Sequence, residues 1–234
     1  MAQKEISLEE VRQKLVRLED SIIFSLIGRS EFKTNKIMYL PGGVEIPDFE
    51  KSFFDYLLFG TEKLHASAGR YLDKTEHPFS EGLPDSLVQR KIEACPLPEN
   101  ININRNTEIK IIYLNQIPSF CEEGDDNQYG AAALMDIRGL QDLSRRIHFG
   151  MFVAESKYQQ DPEGYTRLVE DKNVRGVVEK LRNIQVEEKV LNRLKEKAER
   201  HGFNSDLICN FYRNHVIPMT INVEVEYLFK RSKN

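Results

Sequence analysis

Leu8, Val11, Leu15, Leu18, Ile22 and Leu26 recur at steps of three and four. They draw one apolar stripe and predict a helix from Ser7 to about Ser30. Ser7 and Glu10 stand at capping-box spacing at its start. Arg12, Arg17 and Glu19 lie off the stripe or at its margin. The longest pattern runs from Gly130 to about Gln159, through Ala133, Ile137, Leu140, Leu143, Ile147, Met151, Ala154 and Tyr158. It predicts one uninterrupted rod of roughly 45 Å. Further helices are predicted over 164–182, 185–201 and 205–231. Pro218 lies inside the last, where it removes a backbone hydrogen bond and predicts a kink. The VEVEY run (Val223 to Tyr227) is β-rich in composition, but its flanks make it helix.

The remaining chain is less regular. Residues 39–48 hold Pro41, Gly42, Gly43 and Pro47 and read as a loop with specific turns. Residues 48–72 read as helix, with Phe49, Phe53, Tyr56, Leu57, Leu64 and Tyr71 among the apolar positions. Residues 75–107 are proline-rich with little periodicity and receive no assignment. Ile109 to Ile117 is a short apolar stretch, helix or strand. Glu122 to Asp126 (EEGDD) reads as a solvated acidic loop. No repeat and no composition shift marks a linker. The expectation is a single all-α domain over 1–234, an elongated bundle with long helices. Such a fold builds its site between facing helices.

Composition narrows the function classes. The 234 residues are 40% hydrophobic and 30% charged, ordinary for a globular chain. A formal net charge of −4 with no long basic run argues against nucleic acid as the partner. Cys95, Cys121 and Cys209 are odd in number and lack C-x-x-C spacing. They exclude a disulfide framework or structural zinc site and fit a reducing compartment. No apolar run reaches membrane-spanning length, and MAQKEISLEE lacks the apolar segment of a secretory signal. The cytoplasm is the expected location.

Familiar catalytic devices are absent: no G-x-x-x-x-G-K-[ST], no G-x-G-x-x-G, no H-E-x-x-H, and no metal-ligand spacing among the five histidines. His148 follows Arg145 and Arg146 and reads as a packed or surface histidine. The notable residues are polar ones beside apolar stripes. Arg146 and Lys157 are eleven apart. On one helix that is three turns plus about 20°, so they point the same way, roughly 16 Å apart, and suit one small anion. Asn183 with Glu187, and Thr220 with Glu224, are each i, i+4 and share a face. Taken singly, such residues are usually solvated or in surface ion pairs worth about 0–1 kcal/mol.

Four blocks decide between these readings: VRQKLVRLEDSIIFSLIGRSEF (11–32), DIRGLQDLSRRIHFGMFVAESKY (136–158), VEEKVLNRLKEKAE (186–199) and IPMTINVEVEYLFKR (217–231). With them the sequence resembles the all-helical chorismate mutases of fungi and plants. That resemblance implies rearrangement of chorismate to prephenate, on the way to phenylalanine and tyrosine, with no metal or cofactor. It implies carboxylate-binding roles for Arg12 and Arg146 and contact of Lys157 with the substrate's ether oxygen. Asn183 and Glu187 match residues near a carboxylate and the hydroxyl. Thr220 and Glu224 match the last pair, whose glutamate also faces the ether oxygen.

The resemblance further implies a homodimer controlled by tyrosine and tryptophan. The fungal effector site uses two adjacent arginines and a Gly-Ser-x-x-Thr stretch. Here these positions read Gly69-Arg70 and Gly130-Ala131-Ala132-Ala133-Leu134. Arg70, Asn127 and Gly130 are retained, while one arginine and two hydroxyls are missing. The expected response to Tyr or Trp is weak or absent. The rivals are a catalytically inactive helical interaction protein and a secreted mutase acting in a host.

Overall fold

The computed structural model describes residues 6–89, 95–98 and 100–232. The N-terminal reading of residues 1–5, and the unassigned positions 90–94 and 99, lie outside the described residues. Every regular element among the described residues is helical. In chain order they are α1 (Leu8–Ser30), α2 (Phe53–Ser67), α3 (Asn106–Phe120), α4 (Tyr129–His148) and α5 (Gly150–Gln160). Then follow α6 (Pro162–Glu170), α7 (Val174–Leu181), α8 (Ile184–Arg200), α9 (Ser205–Phe211) and α10 (Ile217–Arg231). None of them is long and apolar enough to cross a membrane. The all-α expectation holds, and the ambiguous 109–117 stretch is the centre of α3.

The described residues group into two compact units. The first comprises residues 6–20, 95–105 (without 99) and 145–232, the second 21–89 and 106–144. The core of the first unit is built from Val11 and Leu18 of α1, Met151 and Ala154 of α5, Val177 of α7, Leu194 of α8, and Val223 and Tyr227 of α10.

Three local features in the first unit differ from the periodicity reading. The expected rod over 130–159 is interrupted at Phe149, between α4 and α5. Phe149 N–H still reaches the Arg145 carbonyl, but the Phe149 carbonyl is shared between Phe152 N–H at 3.0 Å and Val153 N–H at 3.2 Å, a mixed tight and regular turn. Gly150 sits where a Cβ would come within 2.9 Å of the Thr220 carbonyl, so the close approach of α5 to α10 demands glycine. The single helix expected over 164–182 is instead α6 and α7. Lys172 adopts a left-handed φ of 53°, and the Asn173 side chain restarts the helix by accepting from Gly176 N–H. Before Pro218 the chain widens into a π turn over Tyr212–Val216, in which Ile217 N–H bonds the Tyr212 carbonyl. The wide turn ends one residue short of Pro218, which has no N–H to give.

In the second unit, Ile22, Leu26, Phe54, Leu58, Ile109, Ile137 and Leu140 are buried around a polar centre. Arg29 and Asp136 pair there at 2.9 Å with both side chains fully buried. The Tyr39 and Tyr113 hydroxyls donate to Asp136 at 2.5 and 2.9 Å. Burial nevertheless pushes the Asp136 carboxyl up to about 6, against the pull of Arg29. The acidic loop at 122–126 is not merely solvated. Its Glu122 and Gly124 carbonyls accept from Thr34 and Asn35 N–H, and Asp126 accepts from Lys33 N–H and the Asn35 amide. The short side chains of Thr34 and Asn35 fit the loop's backbone, a complementarity that charge counting does not register.

Candidate active site

A cavity of about 610 Å³ opens in the first unit, and all seven active-site positions read from the sequence line it. Arg12 comes from the first turns of α1, Arg146 from the last turn of α4 and Lys157 from the last turn of α5. Asn183 and Glu187 come from the start of α8, Thr220 and Glu224 from α10. Five separate helices therefore meet at one volume, and the interruption at Phe149 does not part Arg146 from Lys157.

Lys157 and Glu224 form the polar pair of the cavity. Lys157 Nζ donates to Glu224 Oε2 at 3.1 Å and to the Leu181 carbonyl at 2.6 Å. That carbonyl lies in the last turn of α7, where the helix supplies no partner of its own. Glu224 is 6% exposed. Burial raises its carboxyl above the ordinary carboxylate range, while Lys157 and Arg146 pull the other way. Its Oε1 has no hydrogen-bond partner among the described residues, so a protonated Glu224 presents a hydroxyl donor to the cavity.

Arg146 is buried beside them. Its Nη1 donates to Thr220 Oγ1 at 3.3 Å, and Thr220 in turn donates to the Val216 carbonyl at 2.7 Å. Arg146 Nε is buried with no hydrogen-bond partner. A guanidinium this buried, with an orphaned donor and no carboxylate within ion-pair contact among the described residues, is stabilised by an anion. Arg12 is exposed at the cavity wall and makes no ion pair among the described residues.

Two predicted residues carry structural duties as well. Asn183 Oδ1 caps α8, accepting from Val186 N–H at 3.1 Å. Glu187 is held by Arg182 through two bonds, Nε to Oε1 at 2.9 Å and Nη2 to Oε2 at 2.7 Å.

Sequence reading missed several lining residues: Arg182, Lys180, Lys189, Arg193 and Gln160. It also placed Glu19 at a stripe margin, whereas Glu19 is fully buried, held by Arg193 at 2.7 Å and Lys197 at 3.4 Å. Seven basic and four acidic side chains line the cavity. Glu19, Asp161, Glu187 and Glu224 each have a basic partner. Arg12, Arg146 and Lys189 have no acidic one among the described residues. The excess of cations inside an acidic chain selects a small, multiply negative ligand.

The three effector-position residues lie in the second unit. Arg70 gives both Nε and Nη2 to Glu76, at 3.1 and 2.9 Å, and Nη1 to Gln141 at 2.7 Å. Gln141 is roughly 16 Å along α4 from Gly130. Asn127 has a left-handed φ of 61° just before α4, and its N–H bonds Asp125. None of the hydrogen bonds of Arg70 among the described residues joins it to Asn127 or Gly130.

Comparison with known proteins gives the family. The family model for chorismate mutase type II matches residues 129–225. The chorismate mutase of Schizosaccharomyces pombe is 38% identical over 99% of this chain and 98% of its own length. That of Saccharomyces cerevisiae is 39% identical over 97% of this chain and 95% of its own. The crystal structure of a chorismate mutase from Candida albicans in complex with L-Trp superposes with a TM-score of 0.93 at 36% identity, covering 97% of this chain and 92% of that one. The chain belongs to the chorismate mutase family.

Proposed function

We propose that the cavity of the first unit is the site where this chorismate mutase turns chorismate into prephenate, in the biosynthesis of aromatic amino acids. The reaction shifts bonds within one molecule. A C–O bond breaks as a C–C bond forms, with no nucleophile and no proton lost. What an enzyme can supply is restraint of the extended substrate in its folded conformer and stabilisation of the charge that grows on the departing ether oxygen.

Each side chain has a part in this reading. The substrate is a dianion, and the guanidinium forks of Arg146 and Arg12 suit its two carboxylates. Thr220 orients Arg146 through their hydrogen bond. Lys157 and protonated Glu224 donate to the ether oxygen, and both bonds strengthen as charge develops there. Only the neutral form of Glu224 can do this, because an ionised carboxylate cannot donate. Glu187 accepts the ring hydroxyl, and the Asn183 amide, whose oxygen is used in the cap, offers its N–H groups to a carboxylate.

The observation that carries this reading is the buried Lys157–Glu224 pair in the same cavity as a buried, partly unsatisfied Arg146. An inert helical scaffold has no use for such a group. The test is a direct assay of chorismate loss and prephenate formation by the purified chain. No rate above the uncatalysed one would refute the assignment. The same reading takes the two units as one functional domain, the working form as a homodimer and the location as the cytoplasm, with Tyr or Trp at most weak effectors. The odd number of cysteines and their lack of C-x-x-C spacing support that location.

A further inference from the structure

We propose that Arg182 is a positioning residue for the rearrangement: its guanidinium fork aims the Glu187 carboxylate at the ring hydroxyl of the substrate. The proposal rests on reading the cavity as the active site and adds a residue that the resemblance did not supply.

The pair is unlike an ordinary surface ion pair. Arg175 and Glu179, one turn apart on α7, touch through a single contact with side chains 90% and 64% exposed. Arg182 and Glu187 are five residues apart across the junction between α7 and α8. Arg182 is extended there, with φ −70° and ψ 140°, which lets its side chain close over the start of α8. It makes two contacts; its own side chain is 47% exposed, but the Glu187 side chain it holds is only 21% exposed and lines the cavity.

The neighbours of Arg182 share the task. The carbonyl before it, that of Leu181, anchors Lys157. The residue after it, Asn183, caps α8. Three consecutive residues thus fix two site side chains and the start of α8, by a carbonyl, a guanidinium and an amide. A carboxylate has about four lone-pair directions, and the fork uses two. The others remain to accept an O–H. The fork also offsets a negative charge at the mouth of a cavity that must admit a dianion.

The experiment measures kcat and KM for the wild type, R182A, R182K, E187Q and the R182A/E187Q double variant. Each is assayed with chorismate and with an analogue lacking the ring hydroxyl. R182A should lower kcat/KM on chorismate about tenfold, the lower end of what one hydrogen bond to a charged group contributes. On the analogue the loss should be under twofold. R182K keeps the charge without the fork and should remain at least threefold below wild type. Adding R182A to E187Q should change nothing further. An equal loss on both substrates, full rescue by R182K, or additive losses in the double variant would each overturn the role. Absence of wild-type turnover would instead defeat the reading of the cavity itself.

Discussion

Lys157 Nζ stands 3.1 Å from Glu224 Oε2, yet burial holds the glutamate above the ordinary carboxylate range despite that cation. The pair is therefore a lysine beside a carboxyl that keeps its proton to higher pH. As pH rises through the raised pKa of Glu224, the donor becomes an ionised acceptor and kcat/KM should fall. Glu224→Gln keeps an N–H donor at every pH and should abolish that decline. Rate–pH profiles of the two proteins check this; the same alkaline limb in both would contradict the role of Glu224.

Removal of either cation beside that carboxyl should be expensive. Lys157→Ala and Arg146→Ala should each lower kcat/KM by about 10²–10³, the loss seen on deleting one donor to a developing oxyanion. Because Lys157 also anchors the carbonyl of Leu181, its variant should show some loss of thermal stability as well. Steady-state rates within tenfold of wild type would count against both assignments.

Arg70 is committed within its own unit to Glu76 and Gln141. The hydroxyls of the Gly-Ser-x-x-Thr pattern are replaced by Ala131 and Leu134. Millimolar tyrosine or tryptophan should alter the rate less than twofold. A several-fold change with either would show that other groups take over the lost contacts.

The buried centre of the second unit offers a stability test. Asp136→Ala leaves the Arg29 guanidinium buried without its carboxylate and strips a partner from two tyrosines. Breaking a buried ion pair from one side costs about 3–5 kcal/mol. Denaturant unfolding should show a loss of that size; less than about 1 kcal/mol would mean that the site relaxes or admits water.

The sequence made much of this legible, for identifiable reasons. Helix periodicity exposed α1, α4 and α8 because their apolar stripes are long. Spacing alone left Arg146, Lys157, Glu187 and Glu224 as ordinary charges, and the resemblance is what joined them. Phe149 was hidden because it does not interrupt the apolar period, and the Lys172–Asn173 break was passed over because a single polar step, between Val169 and Val177, separates two stripes of the same period. Glu19 and Arg182 escaped because their significance lies in a partner: Arg193 is 174 residues away, and Glu187 lies across a helix junction. Such pairings arise from tertiary packing and leave no periodic trace.

The π turn at Tyr212–Val216 has a consequence for aim. One surplus residue in the winding sets the rotational phase of everything that follows on α10. Each residue of helix turns the chain by about 100°. Winding Tyr212–Val216 at the regular pitch would swing Thr220 and Glu224 by that angle around the axis, one away from Arg146 and the other away from Lys157. The five residues of the wide turn touch no substrate in this reading, yet they act as the sight that points the hydrogen-bond donor.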